Sequence, residues 1–149
     1  MEHSMKAAEL FAEGYNCAQA VVVAFCDVTG MEKDYAAKLA SGFGGGMGGL
    51  REVCGAVSGM NMVLSHLYGY CDPADAEGKK RTYGDMKALA EQFQAKNGSI
   101  ICRELMKNMP ANDHPDPKVA EYYAKRPCVR MVMTAAELLD DFIAKNPLK

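Results

Sequence analysis

The chain has 149 residues, of which 49% are hydrophobic, 24% charged and 8% aromatic; this suffices for one domain and is too short for two ordinary ones. A chain of this length buries roughly 68 to 70% of the surface its unfolded form exposes, so neither a disulfide nor a metal is needed merely to keep it folded. Seventeen basic and 19 acidic residues leave a net charge of −2 with no block of like charges, which argues against a nucleic-acid arm, a polybasic membrane patch or a disordered acidic tail.

Helix signals dominate the chain from its start. Glu2 to Glu13 carries Met5, Ala8, Leu10, Phe11 and Ala12, and Gly14 closes it. Asn16 stands where an N-cap belongs, ahead of Cys17 to Val28, a run that ends near Gly30. Asp34 caps a short helix through Ala40. Gly42 to Gly49 then holds six of the 14 glycines and reads as an irregular, tightly turning loop. The next stripe, Ala56, Met60, Val63 and Leu67, has helical spacing and places a helix over Val53 to Tyr68. A long amphipathic helix follows from about Ala74 to Lys96, ended by Asn97-Gly98.

Ser99 is positioned to cap Ile100 to Lys107. Met109 to Pro117 is rich in Pro, Asn and Asp and reads as a loop, with a short turn at Val119 to Ala124. Pro127 has the place of a first-turn proline for Cys128 to Lys145, where Val132, Ala135, Leu139 and Phe142 keep the helical period. No stretch alternates strictly enough for a strand, and no repeat is present. The expected architecture is all-α, a single-domain bundle of about six helices spanning residues 1–149.

Met1 to Leu10 lacks the apolar run of a signal peptide, and no stretch reaches the ~18 uninterrupted apolar residues of a membrane helix. A soluble, cytoplasmic protein is expected, and a homodimer is compatible with that setting. Six cysteines in such a chain point to metal ligands or redox thiols rather than to a disulfide framework.

The helix map divides these cysteines. Cys17, Cys54, Cys102 and Cys128 fall in the first turns of helices, whereas Cys26 lies near a helix C-terminus and Cys71 in a loop. A helix N-terminus offers N–H groups and partial positive charge, which stabilise a thiolate and lower its pKa. Four of the five arginines, Arg51, Arg103, Arg126 and Arg130, lie within three residues of Cys54, Cys102 or Cys128. Spacings of 37, 48 and 26 residues contain no Cys-x-x-Cys, which removes the zinc ribbon, the thioredoxin-like pair and haem attachment.

Gly44, Gly46 and Gly49 fit a G-x-G-x-x-G pattern, but no strand precedes them and no acidic residue follows at the required distance, so a dinucleotide site is not expected. The glycine loop is better suited to letting bare backbone approach the Cys54 sulfur and aim N–H groups at it. Gly55 and Gly59 give the following helix a small face for close approach of a neighbour. His66 lies twelve residues past Cys54, or ~18 Å along a helix, while His3 and His114 sit at a terminus and in a loop. A catalytic Cys–His pair therefore has no candidate.

The order Cys17, then Phe43-Gly44-Gly45-Gly46, then Cys54-Gly55-Ala56-Val57-Ser58-Gly59, then Cys102 and Cys128 resembles the C_GCAxxG_C_C family of redox-active proteins, over about Gly14 to Leu139. The resemblance implies that Cys17, Cys54, Cys102 and Cys128 are the family's four cysteines, the same four that helix capping separates from Cys26 and Cys71. A related arrangement in the non-haem part of split-Soret cytochromes implies a four-cysteine [2Fe–2S] site, bordered by Gly44, Gly45, Gly46 and Gly55. The haem-binding part has no counterpart here.

Three readings follow, beside that of a helical adaptor with inert cysteines. One is an electron-transfer or redox-sensing protein with an iron–sulfur cluster on these four cysteines and a redox partner protein; two iron(III), two sulfides and four thiolates sum to −2, which helix N-termini and arginines would offset. Another is a thiol–disulfide oxidoreductase using Cys54 and Cys17. The third is a structural four-cysteine zinc protein.

Overall fold

The computed structural model describes residues 2–107 and 127–148. The described residues form eight α-helices: α1 (His3–Glu13), α2 (Cys17–Ala24), α3 (Cys26–Thr29), α4 (Lys33–Ala40), α5 (Gly55–Tyr68), α6 (Ala76–Asn97), α7 (Cys102–Leu105) and α8 (Cys128–Lys145). Six have eight residues or more, and α3 and α7 are single turns. Among the described residues there is no strand, only one antiparallel bridge between Val53 and Ile101. The fold is all-α, and none of these helices is long and apolar enough to cross a membrane. The expected loop over Met109–Pro117, the turn over Val119–Ala124, Arg126 and His114 lie outside the described residues.

The hydrophobic pattern explains the layering. Helix α2 is apolar except at Gln19, with Cys17, Ala18, Ala20, Val21, Val22, Val23 and Ala24 buried, and a helix of that kind belongs at the centre. Helices α1, α4, α5 and α8 pack against it. Gly59 of α5 permits the closest approach, because a Cβ there would stand 2.8 Å from the Ala18 carbonyl oxygen. Helix α8 buries one stripe, including Met131, Val132, Ala135, Ala136 and Leu139. The longest helix, α6, attaches by one edge, with only Gly78, Leu89 and Phe93 buried.

Several boundaries differ from the sequence expectation, each for a local reason. The run from Cys17 to Val28 is interrupted at Phe25, whose dihedrals (φ −101°, ψ 13°) leave the helix; its fully buried ring stacks on His3 with centroids 4.1 Å apart. Cys26 consequently opens the single turn α3 rather than closing a long helix. Glu32, not Asp34, caps α4, its carboxylate accepting the Asp34 and Tyr35 N–H groups at 3.0 and 2.9 Å. Asp75 caps α6 through the Gly78 N–H at 2.8 Å.

Residues 53 and 100–101 are drawn out of their expected helices by the Val53–Ile101 bridge. Helix α5 thus begins at Gly55, and α7 keeps only four residues. Ser99 still organises that start, accepting the Ile101 N–H at 2.9 Å and donating to Glu104 at 2.7 Å. His3 opens α1, at the terminal position expected of it. Its Nδ1 is 2.7 Å from Asp140 and its Nε2 is 3.0 Å from Asp27, so it ties α1 to α8 and α3.

Candidate functional site

The four cysteines chosen by helix capping stand at four element starts. Cys17, Cys102 and Cys128 are the first residues of α2, α7 and α8, and Cys54 is the N-cap of α5. All four are at most 8% exposed, and all four line one cavity of about 390 Å³. Cys26 is half-buried, its thiol facing the Val22 carbonyl at 3.9 Å, and Cys71 is exposed; neither lines the cavity. No disulfide joins the described cysteines.

Each start is held by its own chemistry. Asn16 and Gln19 form a reciprocal capping box, with the Gln19 N–H on the Asn16 side chain at 2.9 Å and the Asn16 N–H on the Gln19 side chain at 3.0 Å. The other end of the Asn16 amide donates to the Ser41 carbonyl at 3.0 Å. That second bond joins the cap of α2 to the chain entering the glycine loop, a role that the capping pattern gave no hint of. The Cys54 N–H donates to the Ile100 carbonyl at 2.8 Å and the Cys102 N–H to the Glu52 carbonyl at 2.6 Å. The segments before α5 and α7 therefore place their cysteines side by side.

The glycine loop is a left-handed turn. Gly45, Gly46, Met47, Gly48 and Gly49 all have φ between 58° and 80°, a conformation open to glycine at little cost. Gly44, Gly45, Gly46 and Gly49 line the cavity, as does Gly55. At Gly46 bare backbone is required: a Cβ would lie 2.6 Å from the Glu52 nitrogen and 2.7 Å from both the Arg51 Cα and the Cys102 Cβ. At Gly44 the obstacle would be the Asn16 side chain at 2.5 Å. The loop thus closes on Cys102 and on the cap of α2. The N–H groups that face the Cys54 sulfur belong instead to Ala56 and Val57 in the first turn of α5.

Those two N–H groups pull the Cys54 pKa down, but burial acts more strongly and pushes the thiol up to about 12. This corrects the expectation of a lowered pKa at this helix start. Desolvation of a thiolate nine-tenths enclosed by protein outweighs two N–H dipoles. Burial likewise raises the Cys26 thiol.

The arginines divide too. The Arg51 guanidinium lines the cavity, its Nη1 donating to the Cys102 sulfur at 3.6 Å. Arg103 turns outward to both carboxylate oxygens of Glu52, at 3.1 and 3.0 Å, and Arg130 is exposed. Met106, one helical turn after Cys102, was not foreseen as part of the site. Its sulfur accepts from the Cys128 thiol at 3.6 Å, and the i, i+4 relation to Cys102 is the signal that could have found it.

Among the described residues, the cavity therefore offers sulfur donors, backbone dipoles and the Arg51 guanidinium, with Phe11, Leu105 and Met131 supplying apolar wall. Among the described residues, no three His, Cys, Asp or Glu side chains gather closely enough to hold a single metal ion.

Fold and site together define a class: an all-helical protein built around a four-cysteine cavity at converging helix starts. The chain belongs to the C_GCAxxG_C_C family, whose model, described as "Putative redox-active protein (C_GCAxxG_C_C)", matches residues 15–142. No curated protein and no solved structure matches the chain.

Proposed function

We propose that the protein is a small redox carrier or sensor that holds an iron–sulfur cluster, [2Fe–2S], through Cys17, Cys54, Cys102 and Cys128. The observation that carries this reading is the convergence of three helices of eight residues or more, and of the turn α7, on one cavity with a buried cysteine at each start. When bound, such a group supplies a one-electron change between ferric and ferrous iron. The chain supplies the rest. Its helix starts direct N–H dipoles and Arg51 its positive charge toward a centre that is −2 when oxidised and −3 when reduced. Gly44, Gly45, Gly46 and Gly55 let backbone stand where side chains would fill the space, and Phe11, Leu105 and Met131 keep water from part of the wall. A redox partner protein would exchange the electron.

The raised Cys54 pKa does not oppose ligation, because a metal displaces the thiol proton outright. It does weaken Cys54 as an attacking thiolate. A thiol–disulfide activity of this cavity would fall to Cys102, beside Arg51 at 3.6 Å, rather than to the pair Cys54 and Cys17.

Purification without oxygen, followed by an absorption spectrum and iron, sulfide and zinc analysis, tests the reading. About two irons and two sulfides per chain are expected, lost in Cys→Ser variants at positions 17, 54, 102 and 128 and kept in Cys26→Ser and Cys71→Ser. Stoichiometric zinc without sulfide, or iron and sulfide content indifferent to the four substitutions, would overturn it.

A further inference from the structure

Arg51 is the cationic side chain among the described residues that line the cysteine cavity, and its position is held by an unusual local arrangement. Its φ of 62° is one of two positive values at non-glycine residues among the described residues, a conformation that concentrates at functional sites. Its N–H donates to the Gly45 carbonyl at 3.0 Å. Its own carbonyl accepts twice from Arg103, from the backbone N–H at 3.2 Å and from the guanidinium at 3.0 Å.

The same guanidinium grips both oxygens of Glu52, the next residue. Arg103 and Glu52 are each about half exposed, and an ion pair in that setting adds little to stability. Its geometry is the informative part, because a planar two-pronged pair fixes orientation as a single charge cannot. Four bonds from Arg103, two to the Arg51 carbonyl and two to the Glu52 carboxylate, hold residues 51 and 52, and the Arg51 guanidinium turns inward to Cys102.

We propose that Arg51 selects a negatively charged occupant for the cysteine cavity and that the Arg103–Glu52 pair is its positioning clamp. This rests on the reading of the cavity as the functional site, and it adds what the cavity discriminates. The relevant chemistry is anionic charge delivered beside Cys102, whether on a cluster or on a small anionic sulfur compound.

The test uses the metal-free full chain and two aromatic disulfides, anionic 5,5′-dithiobis(2-nitrobenzoate) and neutral 4,4′-dithiodipyridine, at one pH. In each reaction a bond forms between the Cys102 sulfur and one reagent sulfur as the reagent disulfide breaks; the other half leaves as a thiolate or its thione tautomer, and the cysteine proton passes to solvent. Peptide mapping reads the labelling of Cys102. The ratio of anionic to neutral rate cancels the ionisation of the cysteine and reports charge in the cavity.

Arg51→Asn, which tolerates a left-handed backbone, is expected to lower that ratio about 10-fold, as removal of a unit charge a few ångströms away should. Arg51→Lys should lower it less. Glu52→Gln and Arg103→Gln should each lower it by about threefold with unchanged helix content, and the reversed pair Glu52→Arg with Arg103→Glu should restore it in part. A ratio unmoved by Arg51→Asn in a folded protein overturns the proposal, as does failure of both reagents to reach Cys102. A ratio that falls in Arg51→Asn but not in Glu52→Gln or Arg103→Gln removes the clamp. Absence of iron and sulfide uptake would sink the cluster reading while leaving this ratio standing, so the two failures are distinguishable.

Discussion

Helices α1 and α8 connect two regions that handle charge in opposite ways. At one end, His3 is enclosed by Asp27 and Asp140 and stacked on Phe25, so polar groups from three helices satisfy one another. At the other end α8 begins at Cys128, and Gly14, just past α1, lines the cavity with four thiols and Arg51. The first region closes on itself and reads as a structural junction. In the second, helix starts contribute partial positive charge around an open space lined by the four thiols. An internally satisfied cluster serves stability, whereas thiols gathered at helix starts around a cavity are a place for chemistry.

The contrast breaks most sharply at Gly46. A methyl there would meet backbone at 2.6 and 2.7 Å in a conformation with φ of 71°. Gly46→Ala is therefore expected to cost about 2 to 4 kcal/mol, read as a lower denaturation midpoint, and on the proposed reading iron and sulfide should be lost with it. An unchanged midpoint would mean that the loop is not fastened to Cys102. At the opposite region, His3→Ala removes two contacts to carboxylates and a ring stack and should cost about 2 kcal/mol. Iron and sulfide per folded chain should stay unchanged, and a loss of metal there would show that the two ends are not independent.

The smallest effect sharpens the comparison through pH. With the Cys54 thiol near 12 in the folded protein against the ordinary 9.0, the unfolded chain releases this proton first. The contribution is whole below pH 9 and declines as pH rises from 9 toward 12. At pH 10 the loss should be on the order of 1 kcal/mol in the metal-free protein. Cys54→Ala should flatten that part of the stability curve, and an identical alkaline slope in wild type and variant would show that Cys54 is not held protonated.

Helix periodicity and capping chemistry were enough to place the six helices of eight residues or more and to set Cys17, Cys54, Cys102 and Cys128 apart from Cys26 and Cys71. Both are short-range properties: a helix start is written within four or five residues, as in Asn16-Cys17-Ala18-Gln19 and Pro127-Cys128. The Gly-x-x-x-Gly spacing of α5 likewise announced a close neighbour.

What the sequence could not supply were relations between distant segments. The antiparallel bridge of residues 53 and 101 shortened two helices and brought Cys54 beside Cys102, and a bridge of one residue pair has no periodicity to betray it. The loop was expected to approach Cys54 and instead closed on Cys102, because a run of left-handed residues curls back on the chain that follows it. Arg103 was legible as a neighbour of Cys102 but not as a partner of Glu52 that turns away from the cavity. The Cys54 proton was decided by enclosure, which only the packed structure produces. Local hydrogen bonding thus determined which cysteines stand at helix starts, and tertiary packing decided which sulfurs, dipoles and charges meet.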